Sequence, residues 1–523
     1  MAPPNDPVIP SYEILKHKIS ENMFDLSKDG KLMVKGVTLL SEVPSNVTLT
    51  EYSSVCKSSD SDAPPSMIRY VESISYKGGF LGFHAEEPSD RVMNSLGKFI
   101  DRDFLSAFRF KTWWSTQWVG TNGTDLQMET QWVLLDVPEL GSYALILPLI
   151  EGGFRSALHP GDNGHVMICA ESGSTQVQSS SFKAIAYVHV SDNPYGIMKE
   201  VYSAIRVHLN TFRLLEEKST PSIMDAFGWC TWDALYLTVD PTGIWHGVNE
   251  FAKGGVPLKF LIIDDGWQSI NLDGDDPHQD AKNLVVGGEQ MTARLHRLDE
   301  GEKFRKYKAG LLLSPNALAS YDLTRPKRLI TKVGEIKVAE RERRKALELG
   351  TPIEELQSLD MKIEKLKQEM KETFGDDEET KENGSIDEGG EYGMKALTND
   401  LRTKFKELDD IWVWQALCGA WGGVRPGTTH LKSKIMQCTL SPGLAGTMED
   451  GAVDELVKGG IGLVHPDQAT NFYDSMHSHL ASSGITGVKV DVIHVSLSPI
   501  ILLSNLLVRL SRIMSMFYLH ADA

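Results

Sequence analysis

The chain has 523 residues and a formal net charge of −18 at pH 7, from 53 basic and 71 acidic side chains. Its length predicts three or four domains, or one large barrel with an attached domain, and its hydrophobic content of 41% excludes wholesale disorder. The acidic balance argues against a nucleic-acid partner, because phosphate backbones are bound by positively charged surfaces.

The cysteines and the hydropathy pattern indicate the cellular compartment. Five cysteines are scattered without a CxxC pair, so they form neither a disulfide framework nor a zinc site and predict a reducing compartment. The N-terminus lacks the basic and apolar regions of a secretory signal, and no uninterrupted apolar run of about 18 residues predicts a membrane span. We therefore expect a soluble, cytoplasmic protein with neither a membrane nor a protein partner.

The first 200 residues are rich in short β-branched runs separated by Gly, Pro, Asn or Ser, such as GKLMVKGVTLL, SYALILPLI and FKAIAYVHV. Regular short strands with turn signals between them are typical of a sandwich. We predict an N-terminal β-sandwich domain over residues 1–200. At its end Ile197, Val201, Ile205 and Leu209 lie four apart, which predicts a helix.

Four compact apolar segments follow, each ending in polar or aromatic residues: AFGWCTW, LKFLIIDDGW, DIWVWQAL and GVKVDVIH. Buried parallel strands are near-continuous apolar runs, and strands that alternate with helices indicate βα units. Functional side chains just past the carboxyl ends of strands are typical of the active face of a (β/α)8 barrel. We predict a multidomain protein of β plus α/β class, with the first half of this TIM barrel over residues 201–494.

A charged insertion, residues 275–408, separates the second and third of these strands. In its middle Leu356, Leu359, Ile363, Leu366 and Met370 recur at three-and-four spacing among charged residues. This spacing predicts a helical hairpin or a short coiled coil. Such an insertion can form a lid, line an acceptor site or remain a solvated appendage, and the sequence does not decide between these three interpretations.

Charged residues follow two of the predicted strands. Asp264 and Asp265 end the second strand, and Asp491 comes two positions after Lys489 in the fourth. Residues two apart on a strand share a face, so Lys489 would favour the charged form of Asp491 that a nucleophile requires. The paired carboxylates can bind a metal, act as acid and base, or accept hydrogen bonds from sugar hydroxyls. The structural alternatives are a helix N-cap for Asp265 and a buried Lys–Asp ion pair.

Aromatic residues lie at the ends of the first and third strands, including Trp229, Trp232 and Trp414. Each single tryptophan is more often part of a core, but aromatic rings beside carboxylates suit a carbohydrate, whose apolar faces stack while its hydroxyls donate. The histidines lack metal-ligand spacing, and no phosphate-binding or dinucleotide loop follows a strand. We therefore predict no metal and no cofactor.

Long stretches of the chain carry a family resemblance: FGWCTWDALYLTVDPTGIWHGVNEFAKGGVPLKFLIIDDGWQSI, ALCGAWGGVRPG, SPGLAGTMEDGAVDELVKGGIGLVHPDQ and GVKVDVIH. They closely resemble the plant raffinose synthase and stachyose synthase family, which is related to the retaining α-galactosidases. The resemblance implies transfer of a galactosyl group from galactinol to raffinose, giving stachyose, through a covalent galactosyl-enzyme intermediate. The charged insertion looks like the one that separates stachyose-forming members from most raffinose-forming members.

The resemblance also implies roles for individual residues. Asp491 matches the nucleophile of the family, and Lys489 matches a lysine that lines the same pocket. Asp264 and Asp265 match the pair that holds hydroxyls of the galactose ring. The aromatic wall of the pocket is expected to come from Trp414 together with Trp229 or Trp232.

After His494 the resemblance stops, and residues 495–523 carry none of the residues that follow in the family. We interpret this tail as intron-derived or frameshifted sequence. The chain would then hold half a barrel without the acid/base aspartate, and as written we expect it to be inactive. The alternatives are transfer to sucrose instead of raffinose, hydrolysis by an α-galactosidase, and a non-catalytic sugar-binding fragment. In each case the expected partners are small sugars, namely galactinol, raffinose and sucrose.

Overall fold

The computed structural model describes residues 22–100, 102–111, 114–281, 284, 288–313, 324–374, 390–437, 442–445, 456 and 458–492. Contacts divide the chain into two compact units, with the boundary in sequence at Ser219–Thr220 and with the later segment Pro442–Ala445 belonging to the first. The predicted domain boundaries 1–200, 201–494 and 275–408 stay predictions. The predicted non-family tail, 495–523, lies outside the described residues.

The first unit is rich in β-strands. In the described part of the chain these are β1 Phe24–Leu26, β2 Leu32–Val34, β3 Val37–Ser41, β4 Val47–Glu51, β5 Gly78–Ser89, β6 Arg91–Phe99, β7 Phe104–Lys111, β8 Trp114–Gly120, β9 Thr130–Val137, β10 Ser142–Pro148, β11 Arg155–Pro160, β12 His165–Glu171 and β13 Ser179–Ser191. Its longer helices are α1 Tyr52–Val55, α2 Pro65–Ile74 and α3 Gly196–Leu209. Antiparallel pairs link the strands into one sheet in the order β1-β2-β3-β6-β12-β11-β9-β10-β13-β5-β4, with β7 and β8 attached at β9. The prediction of a β-rich N-terminal region is confirmed.

Alternation along the strands gives this sheet two apolar faces. On β5, Leu81 and Phe83 join the larger core, whereas Phe80 packs on the other side with helix α3. The larger core also holds Leu32 of β2 and Val47 of β4, which belong to strands near opposite ends of the sheet order. The sheet therefore curves around one core. The predicted helix is confirmed as α3, and the two-layered sandwich stays a prediction.

The second unit alternates strands and helices. Its strands, in the described residues, are β14 Gly228–Cys230, β15 Phe260–Ile263, β16 Gln268–Asn271, β17 Arg294–Glu300, β18 Asp410–Ala416, β19 Ser433–Met436, β20 Ile461–Val464 and β21 Gly487–Asp491. Its α-helices are α4 Trp232–Leu235, α5 Pro241–Lys253, α6 Glu302–Arg305, α7 Arg325–Glu348, α8 Ile353–Phe374, α9 Gly393–Lys404 and α11 Ala469–Ser482, whereas α10 Pro442–Ala445 belongs to the first unit. None of the helices among the described residues is both long and apolar enough to cross a membrane.

Four strands of this unit form a parallel sheet in chain order, β14-β15-β18-β21. These are the four segments predicted as parallel strands, so that prediction is confirmed. One face of the sheet is apolar: Leu261, Ile263 and Val413 pack with Ile244 of α5 and Leu397 of α9. Parallel sheets are stable when helices cover them, and α5 and α9 cover this face.

Helices α7 and α8, which lie between β15 and β18, form an antiparallel hairpin. Ion pairs connect early residues of one helix to late residues of the other: Lys332–Glu369 at 2.8 Å, Lys367–Glu340 and Lys362–Glu342 at 3.0 Å, and Arg343–Asp360. Ile336, Ala339 and Ile363 are buried along the seam. The predicted helical hairpin after the second strand is therefore present, and its stability comes from this apolar seam, since exposed ion pairs contribute little.

Helix α5 offers a test of packing on the apolar face. Asp240 caps it by accepting the Gly243 N–H at 2.7 Å. A methyl group at Gly247 would lie 2.3 Å from the Trp229 ring, whereas a methyl group at Gly334 of α7 would meet nothing within 4 Å.

We expect Gly247→Ala to lower the free energy of unfolding by about 1–3 kcal/mol, because it overpacks the contact with Trp229. The matched change Gly334→Ala should raise it by about 1 kcal/mol, because alanine favours a helix and finds open space there. Thermal unfolding of the two purified variants measures both effects. Equal effects of the same sign would contradict the packing described for α5.

Candidate active site

Strand alternation sorts the side chains of the parallel sheet onto two faces. Trp414 pairs with Lys489 and Ala416 pairs with Asp491 across β18 and β21, so these four residues share a face. That face lies opposite the apolar, helix-covered one, and we call it the site face. It ends at the carboxyl ends of the strands, where Asp264 follows β15.

Asp264 forms hydrogen bonds to residues of several strands on the site face. It is 2% exposed, and its Oδ2 accepts from Lys489 Nζ at 2.5 Å and from Cys230 Sγ at 2.9 Å. Its own backbone N–H donates to Thr231 Oγ1 at 2.9 Å. Strands β14, β15 and β21 therefore converge on one carboxylate.

The ionisation of these partners follows from their contacts. Burial alone would lower the pKa of Lys489, but the hydrogen bond and charge of Asp264 outweigh it and the pKa is raised. Burial, reinforced by Asp264, raises the pKa of Cys230 to about 11, so at neutral pH the thiol keeps the proton that it donates. The pair is a cation facing an anion, with a neutral thiol beside them.

Asp265 occupies a different environment, although it is the next residue. Its Oδ2 accepts from Trp421 Nε1 at 3.0 Å and from Gln290 Nε2. Burial raises its pKa from 3.8 to about 6; the bonds from Gln290 and Trp421 lower it, and the nearby charge of Asp264 adds to the rise. The two adjacent carboxyl groups therefore differ, one paired with a lysine and one held by neutral donors.

Asp491 ends β21 and is held by two donors. Trp414 Nε1 donates to its Oδ2 at 3.0 Å, and the backbone N–H of Val492 donates to its Oδ1 at 2.7 Å. The ring of Trp414 stacks on Trp421 at 6.2 Å with an interplanar angle of 23°. Through these rings the surroundings of Asp491 and Asp265 form one connected network.

The chain leaves β15 through a tight turn that requires glycine. Gly266 has φ +113°, and a methyl group there would lie 2.9 Å from the Leu237 backbone. Trp267 follows, 1% exposed, and its Nε1 donates to the carbonyl of Trp414 at 2.8 Å. This bond fixes the segment after β15 to β18, beside the aromatic network.

The structure brings together Asp264, Asp265, Lys489, Trp414 and Asp491 from the predicted set. It does not bring Trp229 to them. The Trp229 ring packs on the other face of the sheet, against Gly247 and against Phe251 at 5.9 Å, because it alternates with Cys230 on β14.

Trp232 lies nearer to the site. It begins α4, its backbone hydrogen-bonds to the Cys230 thiol, and its half-buried ring contacts Tyr236 at 4.9 Å. Its role as a wall of the pocket stays a prediction. Cys230 and Gln290 contribute to the site and lie outside the predicted residues. Trp421 belongs to the aromatic residues that follow the third predicted strand, although the resemblance does not place it in the pocket wall. Trp421 stands in the stretch ALCGAWGGVRPG, whereas no local pattern marks Gln290.

Comparison with known proteins identifies the family of this chain. The family model described as raffinose synthase or seed imbibition protein Sip1 matches residues 24–501. The chain belongs to this family. The chain is 60% identical over 475 residues to stachyose synthase from Pisum sativum, a match that covers 91% of this chain and 55% of the relative.

The chain is also similar to the probable galactinol–sucrose galactosyltransferase 4 from Arabidopsis thaliana. It is 56% identical over 481 residues, covering 92% of this chain and 54% of the relative. The chain thus spans about half the length of the curated relatives it matches. A solved α-galactosidase from Lactobacillus brevis is 8% identical to this chain. The match covers 79% of this chain and 43% of the α-galactosidase chain, and its TM-score of 0.33 supports no argument.

The raised pKa of Asp265 makes a testable contribution to stability. Between pH 4 and pH 6 the carboxyl ionises in the unfolded chain but stays protonated in the folded one, so stability falls as pH rises. A rise from 3.8 to about 6 corresponds to at most about 3 kcal/mol. Asp265→Asn removes this loss. The difference in free energy of unfolding between this variant and the unsubstituted chain should therefore increase from pH 4 to pH 6.

Chemical denaturation at pH 4, 5, 6 and 7 measures the difference. Asp225→Asn, the same substitution at an exposed position, is the control, and the increase with pH should be larger for Asp265→Asn than for this control. A constant or falling difference for Asp265→Asn would contradict the burial described for this carboxyl.

Proposed function

We propose that this chain carries the galactose-binding and nucleophile-bearing part of a retaining galactosyltransferase site. The donor is galactinol and the acceptor is raffinose, which gives stachyose. The observation that carries the proposal is the placement of Asp491, Lys489 and Asp264 together on the site face. The name of the Pisum sativum relative supports the product, and the second relative's name supports the donor.

The ion pair suits recognition of a neutral sugar. Asp264 accepts and Lys489 donates, so vicinal hydroxyls that both donate and accept can replace water on the pair. Charged groups form stronger hydrogen bonds than neutral ones, so the hydroxyls of a sugar ring bind favourably to this ion pair. The half-buried indole of Trp421, which stacks on the buried Trp414, supplies an apolar surface next to these charges.

Asp491 is positioned for the covalent step. In the first displacement its carboxylate forms a bond to the anomeric carbon while the bond to the leaving alcohol breaks, and that alcohol takes up a proton. In the second displacement the acceptor hydroxyl bonds to the same carbon, gives up its proton and releases Asp491. Two inversions give net retention. The proton transfers require a general acid/base, and we assign that role to none of the described residues.

The proposal includes the architecture that presents these groups. We take the parallel strands β14, β15, β18 and β21 as the first half of a (β/α)8 barrel, and the curved sheet of the first unit as a sandwich-like domain. Adjacent strands lie about 4.8 Å apart, so Lys489 on β21 reaches Asp264 past β18 over about 10 Å. A sheet that curves toward the site face, as in a barrel, shortens that reach.

A second candidate acceptor is sucrose. The galactosyltransferase of Arabidopsis thaliana carries sucrose in its name and is 56% identical to this chain. The donor chemistry at Asp491 is the same for both acceptors. The two are separated by incubation with galactinol plus either raffinose or sucrose. A tetrasaccharide product supports raffinose as the acceptor, a trisaccharide product supports sucrose, and the absence of both products agrees with the expectation that the chain as written is inactive.

Galactinol binding, followed by calorimetry, tests the assignment of the donor site. Asp264→Asn should weaken binding by about 10- to 100-fold, since it removes a charged acceptor and unpairs Lys489. Asp491→Asn should bind galactinol within a few-fold of the unsubstituted chain but form no covalent adduct. The exposed-site control Asp225→Asn should match the unsubstituted chain in both respects.

The covalent step is tested separately by acid quenching and peptide mass spectrometry. A galactosyl mass on the peptide that contains Asp491, absent from Asp491→Asn, supports the nucleophile. Binding without any adduct supports a sugar-binding role instead of catalysis. Binding that Asp264→Asn leaves unchanged refutes the proposed site.

A further inference from the structure

The 3-10 turn Glu289–Thr292 brings a buried glutamine to the end of β15. Gln290 is 1% exposed, and its Nε2 donates to Asp265 Oδ2, the same oxygen that accepts from Trp421 Nε1 at 3.0 Å. A carboxylate oxygen has two lone pairs, so these two donors occupy Oδ2. The backbone N–H of Gly266 also donates to this carboxyl, and Oδ1 is the oxygen with lone-pair capacity left for an incoming hydroxyl.

The segments that carry the two donors are fastened to one another. Backbone hydrogen bonds join them: Gly422 N–H to the Ala293 carbonyl at 2.9 Å, and Leu295 N–H to the Gly423 carbonyl at 2.8 Å. A methyl group at Gly422 would lie 2.4 Å from the Thr292 carbonyl oxygen. This approach admits only glycine, so the glutamine and the indole reach Asp265 from one rigid unit.

A fully buried arginine completes the support. Arg294 is 0% exposed, and its guanidinium donates to the carbonyls of Gly422, of Gly460 at 3.2 Å and of Gly459 at 2.8 Å. Its remaining donors bind Asp273 at 2.8 and 3.0 Å. A planar guanidinium fixes several partners at once, so the segment next to Trp421 is held in place from both sides.

We propose that Gln290 is a positioning residue for the donor sugar: together with Trp421 it fixes the Asp265 carboxyl so that Oδ1 faces a galactose hydroxyl. This inference rests on the proposed function and deepens it. Gln290 does not touch the reacting atoms and acts through Asp265. It also belongs to the predicted insertion 275–408, so this part of the insertion is built into the site.

The test compares two buried glutamines. Gln290→Met removes the donor while keeping the length of the side chain, and we expect galactinol to bind about 10- to 100-fold more weakly. Gln415 is equally buried, but it hydrogen-bonds to His477 at 3.2 Å and alternates with the site-face residue Trp414. Gln415→Met should leave galactinol affinity unchanged, whatever its effect on stability.

A pH profile separates positioning from simple loss of packing. In Gln290→Glu, the introduced carboxyl shares one proton with Asp265 at acidic pH and can donate as the amide does. Galactinol affinity of this variant should approach the unsubstituted value near pH 5 and fall by about tenfold or more by pH 8. Gln290→Met should show no such recovery at low pH.

The outcomes distinguish this inference from the proposed function. Galactinol affinity of Gln290→Met equal to that of Gln415→Met, with Asp264→Asn still weak, overturns the role of Gln290 and leaves the donor site intact. A pH-independent defect in Gln290→Glu also overturns it, because that indicates a packing role. Failure of the unsubstituted chain to bind galactinol overturns the proposed function and this inference with it.

Discussion

The contact between Lys489 Nζ and Asp264 Oδ2, at 2.5 Å, is the interaction on which the site depends. It joins the last strand of the parallel sheet to the second across the intervening β18. Removing the lysine would leave a carboxylate of 2% exposure without its cation, although solvent reduces the cost because the lysine side chain is itself 37% exposed. Cys230 and Thr231 add contacts from β14, so the pair also fixes the geometry at the carboxyl ends of the strands.

Hydrophobic patterning predicted the elements that hold this pair. The four apolar segments became β14, β15, β18 and β21, because near-continuous apolar runs such as LKFLIIDDGW are typical of parallel strands covered by helices. The spacing of Leu356 and Ile363 likewise predicted a helix that packs on a partner, which is α7. Pairing between distant strands, such as β6 with β12 in the first unit, leaves no local periodicity and could not be predicted from these patterns.

The site was predictable where its residues follow strands. Asp264, Asp265, Lys489 and Asp491 stand at strand ends, and the resemblance to a known family marked the same positions. Face assignments were harder: Trp229 and Cys230 are neighbours on a strand of three residues, and only the register with β15 shows that the thiol faces the site. Gln290 has no sequence signal, because it meets Asp265 through a loop whose course depends on tertiary contacts.

A crystal structure of the chain with bound galactose tests the central claim most directly, because it locates the sugar relative to the ion pair. We expect the galactose ring on the site face, with hydroxyls within hydrogen-bond distance of Asp264 and Lys489 and with the anomeric carbon toward the Asp491 carboxylate. We further expect a hydroxyl on Asp265 Oδ1, not Oδ2. A ring bound away from these groups, or an ion pair that the sugar leaves wholly uncontacted, would contradict this claim.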